Sequence, residues 1–125
     1  MRNYKKYGVW LKSHELVKIV YRDITPGFPK TEEYGLANQM RRAAYSIPIN
    51  IAEGCGRKSE KDFAHFLDTS LGSTHELEYC LLLAQELNFI GREEFEAVNE
   101  RVNKVKAMII NLIKSIRIWS LGIKR

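Results

Sequence analysis

Apolar residues recur along this chain at spacings of three and four from about Trp10 to Trp119, and this periodicity predicts four helices and no strand. The first helix, about 10–24, places Leu16, Val17, Ile19, Val20 and Ile24 on one side. It stops at Thr25-Pro26-Gly27-Phe28-Pro29, where Phe28 is positioned to plug the end of the core. The second helix, about 31–53, is expected to be capped by Thr31 ahead of Glu32 and Glu33. Its stripe is Leu36, Met40, Ala43, Ile47 and Ile51. Pro48 lies inside that stripe, lacks the N–H that would bond the Ala44 carbonyl, and predicts a bend. Gly54 and Gly56 can take positive φ and are expected to end the helix.

The third helix, about 60–88, starts after Ser59 with Glu60 and Asp62 in its first turn and runs towards a break at Gly91. Phe63, Leu67, Leu71, Thr74, Leu77 and Leu81 form its core stripe. Phe66, Tyr79, Leu82 and Leu83 give a second apolar face that a monomer has no need to bury, so they are the candidate oligomer interface. Ser70, Gly72, Ser73 and Thr74 form a small-residue patch suited to close packing. The fourth helix, about 92–118, has a seam of Phe95, Val98, Val102, Val105, Ile109, Leu112, Ile116 and Trp119, followed by a basic tail over 119–125. Short connections between the last three helices predict an all-α, antiparallel up-and-down four-helix bundle forming one domain over 1–125.

Gln39-x-x-Arg42-Ala43, the run Ser46-Ile47-Pro48-Ile49-Asn50-Ile51-Ala52-Glu53-Gly54 with Arg57, and the later Phe66, Leu67, Gly72, Ser73, Glu76, Leu77 and Glu78 occur together and in order. By these residues the chain resembles the four-helix-bundle proteins encoded in 23S rRNA intervening sequences, the S23 family, from about Trp10 to Ile116. More distantly it is similar to the accessory proteins of diversity-generating retroelements, basic pentameric bundles that work with a reverse transcriptase and nucleic acid. The resemblance implies a ring-like homo-oligomer, a pentamer, with no enzymatic activity, and it extends the possible partners to RNA, DNA and a nucleic-acid enzyme such as a reverse transcriptase.

At 125 residues and 14.5 kDa the chain can build a core without disulfides or metal. Cys55 and Cys80 have no CxxC spacing and no secretory signal ahead of them, and are expected as reduced thiols in a cytoplasmic protein. The most apolar stretch, 105–123, contains Lys106, Asn111, Lys114 and Arg117, so no transmembrane segment is expected, and membrane-surface binding is not expected because so regular an apolar seam packs in protein.

Charge alters this picture because it is segregated. The net charge is +5, yet residues 1–30 carry seven Lys/Arg against two Asp/Glu, 59–100 carry two against ten, and 101–125 carry seven against none. Clustered cations and a pI near 9.3 are a footprint for polyanions. The competing reading is that basic and acidic segments face each other within or between subunits. The candidate nucleic-acid contacts are Arg41, Arg42, Arg57, Lys58, Arg101, Lys104, Lys114 and Arg117. The fourth helix is the preferred surface, expected to be basic on its solvent side. Arg41 or Arg42 has an alternative role, pairing with Glu53, Glu76 or Glu78 to hold the bent helix against the third. Tyr4, Tyr7, Trp10, Tyr45 and Trp119 supply rings for base stacking, although no RNA-binding motif organises them.

Catalytic constellations are sparse. Asp62 and His65 share a face, but a bundle di-metal site needs two such motifs and two more carboxylates. His75-Glu76 begins an HExx pattern that ends in Tyr79 instead of His. Ser46, Ser70 and Ser73 lack a nucleophile elbow, and Cys55 has no base near it in sequence. No cofactor, no metal and no enzymatic activity are expected. The leading function is a homo-oligomeric scaffold that binds nucleic acid with little sequence discrimination. The alternatives are a structural or protein-interaction module that ignores nucleic acid, and a small metal-dependent enzyme using His65 or His75.

Overall fold

The computed structural model describes residues 2–120, with side chains through 118; the side chain of Trp119 and the tail 121–125 lie outside the described residues. The described residues form four long helices and no strand: α1 Gly8–Ile19, α2 Leu36–Cys55, α3 Glu60–Glu86 and α4 Arg92–Ser120. Each helix packs on the next, α1 also packs on α4, and the backbones of α1 and α3 do not approach closely. The bundle therefore closes in chain order with α1 and α3 on its diagonal.

α1 begins two residues before the expected start and continues as a π-helical turn, Val20–Ile24. The buried Thr25 hydroxyl donates to the Val20 carbonyl at 3.0 Å, occupying an acceptor at that widened end. Leu16, Val20 and Ile24 lie inside, and Phe28 closes the end of the core against Phe89, with ring centroids 5.5 Å apart.

α2 starts at Leu36, not near Thr31. A 3-10 turn, Lys30–Glu32, precedes it, and the cap is the Glu32 carboxylate, which accepts the Leu36 N–H at 3.0 Å. Gly35 leaves room for this carboxylate: a Cβ there would lie 2.8 Å from Oε1. The helix then runs as one element through the buried Pro48. Beside the proline, the Ser70 hydroxyl donates to the Ile47 carbonyl at 2.9 Å, the Ser46 and Ser73 hydroxyls meet at 2.7 Å, and Asn50 donates to the Ser46 carbonyl at 2.8 Å. Ser70 and Ser73 thus stitch α3 to α2, while Gly72 faces open space.

The glycine exit works differently from expectation. Gly54 is buried within α2, and Gly56 caps the helix at φ −81 with its N–H on the Ala52 and Glu53 carbonyls. Neither adopts positive φ; Gly54 is required by packing, since a Cβ there would lie 2.9 Å from Phe63 Cδ1.

α3 is capped as expected, with the Ser59 hydroxyl accepting the Asp62 N–H at 3.0 Å. It ends at Glu86, two residues early, because Asn88 takes the left-handed conformation at φ 63. The Asn88 N–H bonds the Gln85 carbonyl and the Phe89 N–H bonds the Ala84 carbonyl, the two bonds of a Schellman exit. On α4 the buried face is Val98, Val102, Val105, Ile109, Ile113 and Ile116. Ile113 replaces the expected Leu112, which is half-buried. A straight helix of 3.6 residues per turn drifts from a strict three-four seam and brings the next position onto the core.

Candidate nucleic-acid interface

An antiparallel bundle gathers the start of α1, the end of α2, the start of α3 and the end of α4 at one end. Arg2, Lys5, Lys6, Arg57, Lys58, Lys61, Lys114 and Arg117 share that end with the acids Glu53, Glu60, Asp62 and Asp68. The opposite end holds Arg22, Lys30 and Arg92 among Asp23, Glu32, Glu33, Glu86, Glu93, Glu94 and Glu96. Charge segregated along the sequence becomes charge segregated along the bundle axis.

The basic end contains an open cleft of about 550 Å³ lined by Arg2, Gly56, Arg57 and Lys58. Arg2 lies with its guanidinium 4.4 Å from the centroid of Phe63, donates to the Arg57 carbonyl at 2.6 Å and pairs with Glu60. Arg57 sits 4.6 Å above the Phe66 ring, paired at 3.5 Å with Glu53. Lys58 is exposed and makes no ion pair among the described residues. The arrangement offers one solvated ammonium and one ring-supported guanidinium beside exposed glycine backbone, groups suited to phosphate oxygens. Sequence reasoning missed Arg2 because it lies 55 residues from Arg57; the basic block over 1–30 was the available signal.

The other expected contacts divide. Arg41 pairs with Glu33 at 2.7 Å and donates to Thr25 Oγ1 at 3.3 Å, so it fastens the connector to α2 and does not pair with Glu53, Glu76 or Glu78. Arg42 is exposed in a cleft of about 380 Å³ between α2 and α3 that includes Glu76, whose carboxylate takes a hydrogen bond from Gln39. Arg117 pairs with Asp68 and Lys106 with Glu78 at 3.1 Å, so two cations of α4 are committed to α3. Arg101 and Lys104 line a cleft of about 370 Å³ with Lys12 and Glu100, the last paired with Lys104 at 3.4 Å. Lys114 is exposed without an ion pair among the described residues. The solvent side of α4 is consequently mixed: Glu93, Glu96 and Glu100 share it with Lys104 and Lys114, at about 100° per residue.

The expected second face of α3 also splits. Tyr79 is 62% exposed and Leu82 41%, Leu83 is half-buried, and Phe66 lies under Arg57. Thirteen residues separate Phe66 from Tyr79, a rotation of roughly 220°, so the two point in different directions.

His14 stacks on Trp10 at 5.0 Å, His65 meets Phe66 edge-on, and His75 is exposed. Among the described residues no three His, Cys, Asp or Glu side chains group as metal ligands. Both thiols are buried. Burial pushes Cys80 up to about 11, with Glu76 adding to it, and raises Cys55 against the opposing field of Arg2. Neither thiol has the lowered pKa of an activated nucleophile. No helix among the described residues is long and apolar enough to cross a membrane.

Fold and surface define a small all-α bundle with one basic end. Residues 5–111 match the family of the 23S rRNA-intervening sequence protein, and the chain belongs to that family. A crystal structure of a protein with unknown function from the S23 ribosomal protein family of Bacteroides thetaiotaomicron VPI-5482 superimposes with a TM-score of 0.79 at 28% identity, covering 85% of this chain and 98% of that one. No curated protein matches.

Proposed function

We propose that this protein is a cytoplasmic, non-enzymatic scaffold that assembles into a homo-oligomeric ring, a pentamer by family resemblance, and binds nucleic acid through backbone phosphates with little sequence discrimination. The observation that carries this reading is the convergence of Arg2, Arg57 and Lys58 on one open cleft at the basic end. Cyclic symmetry would repeat that cleft once per subunit and multiply the local potential. In the same reading α2 bends at Pro48, where one helical hydrogen bond is lost, and the assembled ring docks a nucleic-acid enzyme such as a reverse transcriptase.

A structural or protein-interaction module is the second reading, favoured by the Arg117–Asp68 and Lys106–Glu78 pairs that commit part of the basic α4 to α3. Binding of the purified protein to labelled structured RNA, single-stranded RNA and duplex DNA over a salt series separates the two, with mass measured by light scattering in the same buffers. Binding that weakens steeply with salt, and weakens further in Arg57→Glu and Lys58→Glu variants of unchanged mass, supports the scaffold. A stable oligomer that binds none of the three at low salt overturns it.

A further inference from the structure

The solvent face of α2 carries a continuous trough that leads out of the basic cleft. Tyr45, Ile49, Ala52 and Gly56 recur at spacings of three and four, which is one face of a helix. Between α1 and α2 a groove of about 290 Å³ has the rings of Tyr4, Trp10, His14 and Tyr45 in its walls. It shares Ile49 and Ala52 with a second cleft, and that cleft shares Gly56 and Arg57 with the basic cleft of Arg2 and Lys58. Tyr45 lies ten residues, or about 15 Å, from the end of α2 at Cys55, just beyond which Arg57 and Lys58 follow. At roughly 3.4 Å per stacked nucleotide that is a run of about four.

Rings and cations alternate along this trough. The Lys5 ammonium is 6.0 Å from the centroid of Tyr4, exposed and without an ion pair among the described residues. Arg57 and Lys58 stand at one end, and beyond Tyr45 the neighbouring cleft holds Arg42, likewise exposed and unpaired. The carboxylates beside the trough already have partners: Glu53 pairs with Arg57, Glu60 with Arg2, and Glu76 accepts from Gln39. Trp10 is held by the stacked His14 ring and the edge-on Tyr4 ring, both at 5.0 Å, so the wall is preorganised, while Tyr45 is 38% exposed and offers an open ring. The groove falls below the roughly 300–1,000 Å³ of a site for a drug-sized ligand. It suits one planar base and is too small for a base pair.

From this alternation we infer that the trough is a track for single-stranded nucleic acid, with phosphates on Lys5, Arg57 and Lys58 and an unpaired base stacked in the ring groove against Tyr45. The inference rests on the phosphate-binding reading above and adds to it a preference for single strands. A duplex keeps its bases paired and presents only phosphates, whereas every unpaired base has a π face, so stacking adds affinity with little sequence discrimination. The contacts use no 2′-hydroxyl, and RNA and DNA strands are taken alike.

Anisotropy titrations with labelled oligothymidine, an abasic strand of the same length and a duplex of the same length test it, with mass followed by light scattering. The abasic strand keeps the phosphates and lacks the bases. Wild type should bind oligothymidine more tightly than either competitor. Tyr45→Ala should lose roughly 5- to 100-fold in oligothymidine affinity, the range for one stacked base, with abasic binding unchanged, and Tyr45→Phe should restore it. Trp10 fluorescence, read in a Trp119→Phe background because the chain has two tryptophans, should change with oligothymidine and not with the abasic strand. Circular dichroism checks that each variant is folded. Equal affinity for all three ligands with unchanged Trp10 fluorescence overturns the stacking track and leaves phosphate binding standing. A Tyr45→Ala variant that loses oligomer mass but keeps the single-strand preference assigns the groove to a protein contact and overturns the track as well. Binding of none of the three overturns both readings.

Discussion

Gly54 of α2 and Phe63 of α3 approach so closely that a Cβ on Gly54 would lie 2.9 Å from Phe63 Cδ1 and 3.2 Å from the Phe63 carbonyl oxygen. The two helices meet here just before the turn that joins them, with Arg2 over the same ring. Gly54→Ala should therefore destabilise the protein despite the gain in helix propensity of about 1 kcal/mol. Overpacking of a dense contact costs about 1–3 kcal/mol, and the ring can yield but the carbonyl cannot. Urea denaturation should give a net loss of up to about 2 kcal/mol, the overpacking cost less the propensity gain, with part of it recovered by adding Phe63→Leu. An alanine variant as stable as wild type would mean that the contact relaxes freely.

Asn88 makes a comparable demand on the backbone at the opposite end. Its φ of 63 is what turns the chain out of α3 and brings Phe89 onto Phe28. Asn88→Gly should be neutral or slightly stabilising, whereas Asn88→Val should lose about 1–2 kcal/mol, the penalty of left-handed backbone for a residue with a branched Cβ. Thermal melts of the two variants check the ordering; equal melts would show that the exit tolerates another conformation.

These two residues also mark what the sequence could and could not disclose. Apolar spacing located four helices because burial of one face dominates each of them, and Leu16, Met40, Leu67 and Val102 are all inside. Helix ends depended on finer competition. Thr31 carried the ordinary cap signal, but the Glu32 carboxylate reached the Leu36 N–H after a 3-10 turn, and Asn88 stopped α3 before Gly91 could. Gly54 looks from its place near the helix end like a backbone residue, whereas its role is the absence of a side chain opposite Phe63. The basic site was less legible still. Arg2 joins Arg57 through the fold alone, and the pairing of Arg117 with Asp68 depends on the register of two antiparallel helices, which no local pattern specifies.

The buried Cys80 predicts a pH dependence. Its thiol is raised to about 11 from an ordinary value of 9.0. The native thiol therefore keeps its proton at pH values where the unfolded chain has lost it, and the unfolded state gains the advantage as pH rises. Stability should be unaffected by this group below about pH 9 and should fall between about 9 and 11. Cys80→Ala should flatten that part of the profile even though it lowers stability at neutral pH through the lost side-chain volume. A thiol reagent supplied at pH 8 should label Cys80 only after denaturant is added. Rapid labelling of the native protein would contradict a closed interface between α3 and its neighbours.

Lys58 and Arg101 differ in a way that salt titration can read. Lys58 is exposed at the basic cleft without an ion pair, whereas Arg101 shares its cleft with Glu100 and sits on a helix face of mixed sign. A lysine that contacts one phosphate contributes about one released counterion, so Lys58→Ala should reduce the slope of log K against log salt by about 1 for duplex DNA. It should do so equally across unrelated sequences, since phosphate contacts carry no base information. Arg101→Ala should change the slope much less, because the neighbouring carboxylate already offsets part of the local potential. Arg117→Ala is expected to lower stability slightly through the lost Asp68 pair, by less than about 1 kcal/mol for so exposed a pair, with little change in slope. The reverse order, a large slope change at Arg101 and none at Lys58, would move the phosphate track from the bundle end to the α1–α4 face.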